Sequence, residues 1–131
     1  QITALGLESR IELPGIVSAI ANELLAADIF ALTSQFEGFP MVLLESMAVG
    51  LPCVCFDCPT GPREMSMDGQ VALLIPPNDE QALELALEQL MLDGELRQSL
   101  GSKARASVTE RFSIKRILEH WDSLFQELGV L

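Results

Sequence analysis

Basic residues are scarce in this chain: 8 Lys and Arg stand against 19 Asp and Glu, a formal charge of -11 over 131 residues. A surface field of that sign repels phosphate backbones and anionic lipid head groups, which argues against direct binding of nucleic acid. Long apolar runs are also missing. None approaches the roughly 20 residues that span a bilayer, and no basic segment followed by an apolar one opens the chain. The expected protein is soluble and cytoplasmic, with the inner membrane face left open for a longer parent. Cysteines are few, at Cys53, Cys55 and Cys58 only, and an odd, tightly clustered set does not make a disulfide framework. Their C-x-C-x-x-C run lacks a fourth zinc ligand nearby, because the one histidine, His120, is far away in sequence. Buried strand cysteines are the simpler expectation, and no metal is expected.

What is present is apolar: 49% of residues, enough to bury a core in one domain. Short strand-like runs alternate with amphipathic stretches, the pattern of βα units around a parallel sheet. The fold class is α/β, a Rossmann-like parallel sheet with flanking helices. Strands are predicted at Arg10–Leu13, Asp28–Leu32, Pro52–Phe56 and Val71–Ile75. Helices are predicted after a Ser18 cap, over Met41–Val49 up to Gly50, from about Asp79 to Asp93-Gly94, over Leu96–Arg111, and after a Ser113 cap. The loop Asp57–Asp68 between the third and fourth strands is expected to be irregular. The last helix carries Ile114, Ile117, Leu118, Trp121, Leu124, Phe125 and Leu128 on one stripe, which must pack on something. Core packing is the favoured role for Trp121. Four strands make about half of a doubly wound sheet, so the sheet is expected to end in an unpaired edge. The chain starts at Gln1 within a structured-looking stretch, so it is expected to be part of a longer protein.

The informative stretch is Ser34–Pro52, SQFEGFPMVLLESMAVGLP, where a strand ends, a loop turns and an apolar helix begins. Ligands of open α/β sheets bind at this edge, beyond the carboxyl ends of the strands. Glu37 stands just before the helix and Glu45 inside it, about 7 Å further along the axis. A carboxylate accepts from two adjacent hydroxyls at once, so this pair suits a ligand with two polyhydroxyl ends. Between them the free N–H groups near Met41 and Val42 favour an anion such as a diphosphate, and Gly38 permits close backbone approach.

Glu37–Glu45, EGFPMVLLE, matches the E-x7-E pattern of the retaining glycosyltransferases often called group 1 or family 4, and SMAVGLP continues the match. LAADIFALTSQFEG upstream, and DCPTGPRE, Asp68-Gly69, VALLIPPND and the run Asp93–Ser113 downstream, follow in that family's order. The chain resembles that family over nearly its whole length. The resemblance implies a GT-B fold, with residues 1–131 forming part of the C-terminal nucleotide-sugar-binding domain; the first strands and the acceptor-binding N-terminal domain lie outside the chain. It further implies that Glu37 serves catalysis beside the transferred sugar and that Glu45 holds the ribose hydroxyls. Gly38, Phe39, Pro40, Met41 and Val42 line the sugar and diphosphate, while the turn Pro14–Val17, through Val17, edges the base. Arg63 in TGPRE is the one basic residue near the expected cleft; a structural pairing with a neighbour such as Glu64 competes with ligand contact.

The implied activity is hexosyl transfer with retention from a nucleoside diphosphate sugar, UDP-linked by the look of DCPTGPRE, to a glycan or lipid-linked acceptor. No cofactor is expected beyond that donor. Family members often have glycine at Pro40, and proline has no N–H to offer a phosphate. The family's Gly-rich loop, Arg and Lys are also missing from this stretch of sequence. A non-hydrolysing nucleotide-sugar epimerase and a non-catalytic nucleotide-sugar-binding or scaffold module are the rival readings. His120 and Trp121 on the last helix suggest an interface with the N-terminal domain as the alternative to packing.

Overall fold

The computed structural model describes residues 1–130. Three parallel strands, β1 (Phe30–Leu32), β2 (Cys53–Phe56) and β3 (Leu73–Ile75), form one sheet in the order β1-β2-β3. Phe30 pairs with Cys53, and Val54 with Leu73. Around them lie α1 (Ile20–Ala26), α2 (Met41–Ala48), the short α3 (Pro62–Met65), α4 (Glu80–Leu92), α5 (Gly94–Phe112) and α6 (Ile114–Glu127). Every strand runs the same way, so the loops that follow β1, β2 and β3 all emerge at one edge.

β2 is buried along its whole length, as a central parallel strand covered on both faces must be. Its alternation divides the core. Cys53 and Cys55 point to the side where Leu43 and Met47 of α2 and Ala104 of α5 pack. Val54 and Phe56 point to the other, against Ala86 and Leu90 of α4 and Leu100 of α5. Leu43, Met47 and Leu90 have no exposed surface, and each such side chain contributes about 1.5–3 kcal/mol through its burial. α5 crosses the end of α2 so closely that a Cβ on Gly101 would lie 2.1 Å from the Gly50 carbonyl oxygen. Gly50, at φ 82°, closes α2 in the left-handed conformation.

Helix ends follow their caps. Asp79 accepts from the Ala82 amide (2.9 Å), Asp93 from Leu96 (2.8 Å) and Ser113 from Arg116 (3.4 Å). Asp93 also terminates α4, its own amide bonding to Gln89 (3.0 Å), so α5 begins at once at Gly94 rather than at Leu96.

Four expectations are corrected. Arg10–Leu13 forms no strand: no neighbour pairs with it, and Leu13 and Ile16 are 80% and 103% exposed. Among the described residues the sheet therefore has three strands, not four. Ser18 does not cap α1, whose N-cap is Ala19 without a side-chain bond. The loop after β2 contains α3, started by Pro62 at its first turn, where a missing N–H costs nothing. The stripe of α6 is formed as predicted but has no buried residue; Trp121 is 52% exposed and packs on Phe125 of its own helix, with ring centroids 5.6 Å apart. No helix among the described residues is long and apolar enough to cross a membrane.

Candidate functional site

The parallel sheet delivers three loops to one edge, and hydrogen bonds tie them together. The Glu37 amide donates to the Pro59 carbonyl (2.8 Å) and the Thr60 amide to the Glu37 carbonyl (2.7 Å). The Thr60 hydroxyl lies 2.9 Å from the Gly38 carbonyl and 3.2 Å from that of Glu37. Gln35 reaches Asn78 after β3 (3.3 Å), and the Asp57 amide bonds to Ile75 (2.7 Å). Pro40 is buried against Gly61, where a Cβ would come within 2.5 Å of the proline ring. Gly61, at φ 101°, meets both demands at once. The turn Glu37–Pro40 is thus held from behind by the segment Pro59–Gly61.

At the start of α2 the amides are unequally used. Met41 donates to Phe39 (2.8 Å), and Leu43 and Leu44 both donate to Pro40 (3.0 and 3.2 Å). Among the described residues the amides of Gly38, Phe39 and Val42 meet no acceptor. Leu43, Ser46 and Met47 point into the core, and Ser46 returns its hydroxyl to the Val42 carbonyl (2.7 Å). Met41, Glu45 and Ala48 occupy the opposite, exposed face, a stripe continuous with exposed Phe39. Glu37 is half-buried and Glu45 exposed, and neither joins an ion pair among the described residues.

Arg63 is engaged elsewhere. Its guanidinium bonds bidentately to Asp57 and reaches Asp68 (3.2 Å), not the neighbouring Glu64. The Asp57 and Asp68 bonds raise its already high pKa. Arg111 of α5 lies in the same pocket of about 760 Å³ with Thr60, Gly61 and Arg63, donating to the Glu64 carbonyl (3.0 Å) and lying 4.9 Å from the Phe112 ring centre. Val17 is half-buried in an irregular segment that no hydrogen bond joins to the turn among the described residues. Thr60 carries no signal of its own in the sequence; Cys58, expected with Cys53 and Cys55 in a strand, is buried but lies in the loop after β2. Burial raises the Cys58 thiol pKa, with the Glu37 charge adding to it. Among the described residues no group of three or more His, Cys, Asp or Glu could hold a metal ion.

The sequence model of the family "Glycosyl transferases group 1" matches residues 1–107. The chain belongs to that family. Among curated relatives, it is 42% identical over 97% of its length to an exopolysaccharide phosphotransferase of Streptomyces coelicolor, of which it spans 14%. It is 31% identical over 95% of its length to the N-acetyl-alpha-D-glucosaminyl L-malate synthase of Bacillus anthracis, of which it spans 32%. Among solved structures it is similar to Anabaena HepE in complex with UDP, at 28% identity and a TM-score of 0.89, covering 96% of this chain and 35% of HepE. The same protein in complex with UDP-glucose gives a TM-score of 0.86. The fold is the Rossmann-like α/β arrangement of GT-B glycosyltransferases, as the group 1 resemblance implied.

Proposed function

We propose that the chain is part of the C-terminal, donor-binding domain of a retaining hexosyltransferase that takes its sugar from a nucleoside diphosphate, UDP by preference. The observation that carries this reading is the turn Glu37–Pro40, pinned at the carboxyl edge of the sheet with the Gly38, Phe39 and Val42 amides free. Similarity of the surrounding backbone to HepE in its UDP and UDP-glucose complexes supports it. In this reading Glu45, on the open face of α2, accepts from the ribose hydroxyls, and Glu37 lies against the transferred sugar. Phe39, Pro40 and Met41 wall the donor, and Val17 edges the base. The amides stabilise charge on the departing diphosphate, donors fixed in place before the bond breaks. Two glutamates beside a diphosphate repel it. Arg63, already paired with Asp57 and Asp68, is a weak counterweight, so the balancing cations come from parts of the protein outside this chain. The acceptor, a glycan or lipid-linked sugar, is held by the N-terminal domain across the cleft.

In the full-length protein, Glu45→Ala raises the donor KM, whereas Glu37→Ala lowers kcat more. Initial rates with UDP-hexoses separate the two, and wild-type kinetics in both variants would overturn the assignment. One observation favours a second reading. The 42% identity to an exopolysaccharide phosphotransferase, only 14% of whose length this chain matches, fits a nucleotide-sugar-binding module serving another centre. Phosphorus NMR of the product distinguishes a phosphodiester from a glycosidic link.

A further inference from the structure

Two of the free amides of the turn, those of Gly38 and Phe39, owe their direction to one residue. A trans peptide is planar, so its C=O and N–H point opposite ways. The Thr60 amide fixes the carbonyl of Glu37 (2.7 Å), and with it the Gly38 N–H is turned away from the Pro59–Gly61 segment. The Thr60 hydroxyl, 2.9 Å from the Gly38 carbonyl, does the same for the Phe39 N–H. Two successive carbonyls point back at Thr60, and two successive amides, without acceptors among the described residues, point forward. The backbone bonds of this clamp would survive any substitution at position 60 other than proline, which has no N–H to donate; the bond to Gly38 depends on the hydroxyl alone. Thr60 is exposed, so its methyl group fills no core.

We propose that Thr60 is a positioning residue whose hydroxyl aims the Phe39 amide, beside the Gly38 amide that its backbone N–H already holds, at oxygens of the hexosyl group of the bound nucleotide sugar. The inference rests on the donor-binding reading above and deepens it. Glu45 lies on the second turn of α2, so the part of the donor it contacts is remote from this clamp, and Thr60 acts on the sugar without acting on the nucleotide.

The test is calorimetric titration of the full-length protein, as wild type, Thr60→Val and Thr60→Ser, with UDP, UDP-glucose and UDP-N-acetylglucosamine. Thr60→Val keeps the shape and removes the donor; Thr60→Ser keeps the donor and removes the methyl. The expected result is unchanged UDP affinity in all three, with the extra affinity conferred by the preferred hexose reduced about five- to tenfold in Thr60→Val, as loss of one hydrogen bond implies, and retained in Thr60→Ser. Equal loss in both variants, an equal loss for UDP itself, or no loss at all overturns the positioning role while leaving the donor reading intact. Failure of the wild type to bind any of the three ligands overturns the donor reading, and the inference falls with it.

Discussion

The ring of Phe39 meets that of Phe112 edge-on, with centroids 6.1 Å and planes 65° apart. One ring belongs to the candidate turn and the other ends α5, next to the Ser113 cap that starts α6. Phe112→Leu keeps an apolar side chain but removes the edge-to-face contact, worth about 0.5–1.5 kcal/mol beyond area burial. Phe39→Leu is expected to cost a similar amount, and the two losses should not add. A double-mutant cycle in urea checks this, and additive effects would show that the rings do not communicate.

Gly101 reverses the usual rule for a helix interior. Replacing glycine by alanine there ordinarily gains about 1 kcal/mol. Here the added Cβ would sit 2.1 Å from the backbone oxygen of Gly50, and backbone cannot swing aside as a side chain can. Forced overpacking costs about 1–3 kcal/mol or more, so Gly101→Ala lowers the urea midpoint. Gly94→Ala serves as the control: its Cβ would meet only the Arg97 side chain, at 3.7 Å, and the midpoint should hold or rise.

The strand cysteines make stability fall in alkali. Burial, helped by neighbouring Cys58 and Asp57, pushes the Cys55 thiol up from the usual 9.0 to about 12, and burial pushes Cys53 up as well. The fold holds these protons after the unfolded chain has released them. Their contribution is therefore complete below the usual thiol value of 9.0 and drains as pH rises from there toward about 12. The slope is about 1.4 kcal/mol per pH unit for each such thiol. Urea midpoints should be flat near neutrality and drop above the thiol value. Cys55→Ala should start lower and drop less steeply; an unchanged slope would remove Cys55 from the explanation.

The readable parts of the fold were those where local pattern and tertiary demand agree. CVCF is apolar without alternation, and it became the strand covered on both faces. Ser113 caps as expected, and of Asn78 and Asp79 the cap is Asp79; Asp93, expected only to break α4, also caps α5. RIEL satisfies a strand's alternation just as well, yet a strand needs a partner, and pattern within a segment says nothing of who lies beside it. The site divides the same way. Glu37, Gly38 and Glu45 were visible because their spacing spans a turn and a helix. The grip of Thr60 on that turn crosses from one loop to another, and the preference of Arg63 for Asp57 and Asp68 over adjacent Glu64 depends on how α3 coils. The first pairing is set by the packing of β1 and β2 side by side, the second by the fold of the segment after β2.

The uncovered face of α6 has a spectroscopic consequence. This chain contains one tryptophan and no tyrosine, so its near-ultraviolet emission originates almost wholly from Trp121, half in water beside Phe125. Alone, the chain should fluoresce toward the red, as a hydrated indole does. Any surface that seats itself on the stripe of Ile117, Trp121 and Leu124 would shift the colour to the blue, a built-in optical reporter of contact at this helix.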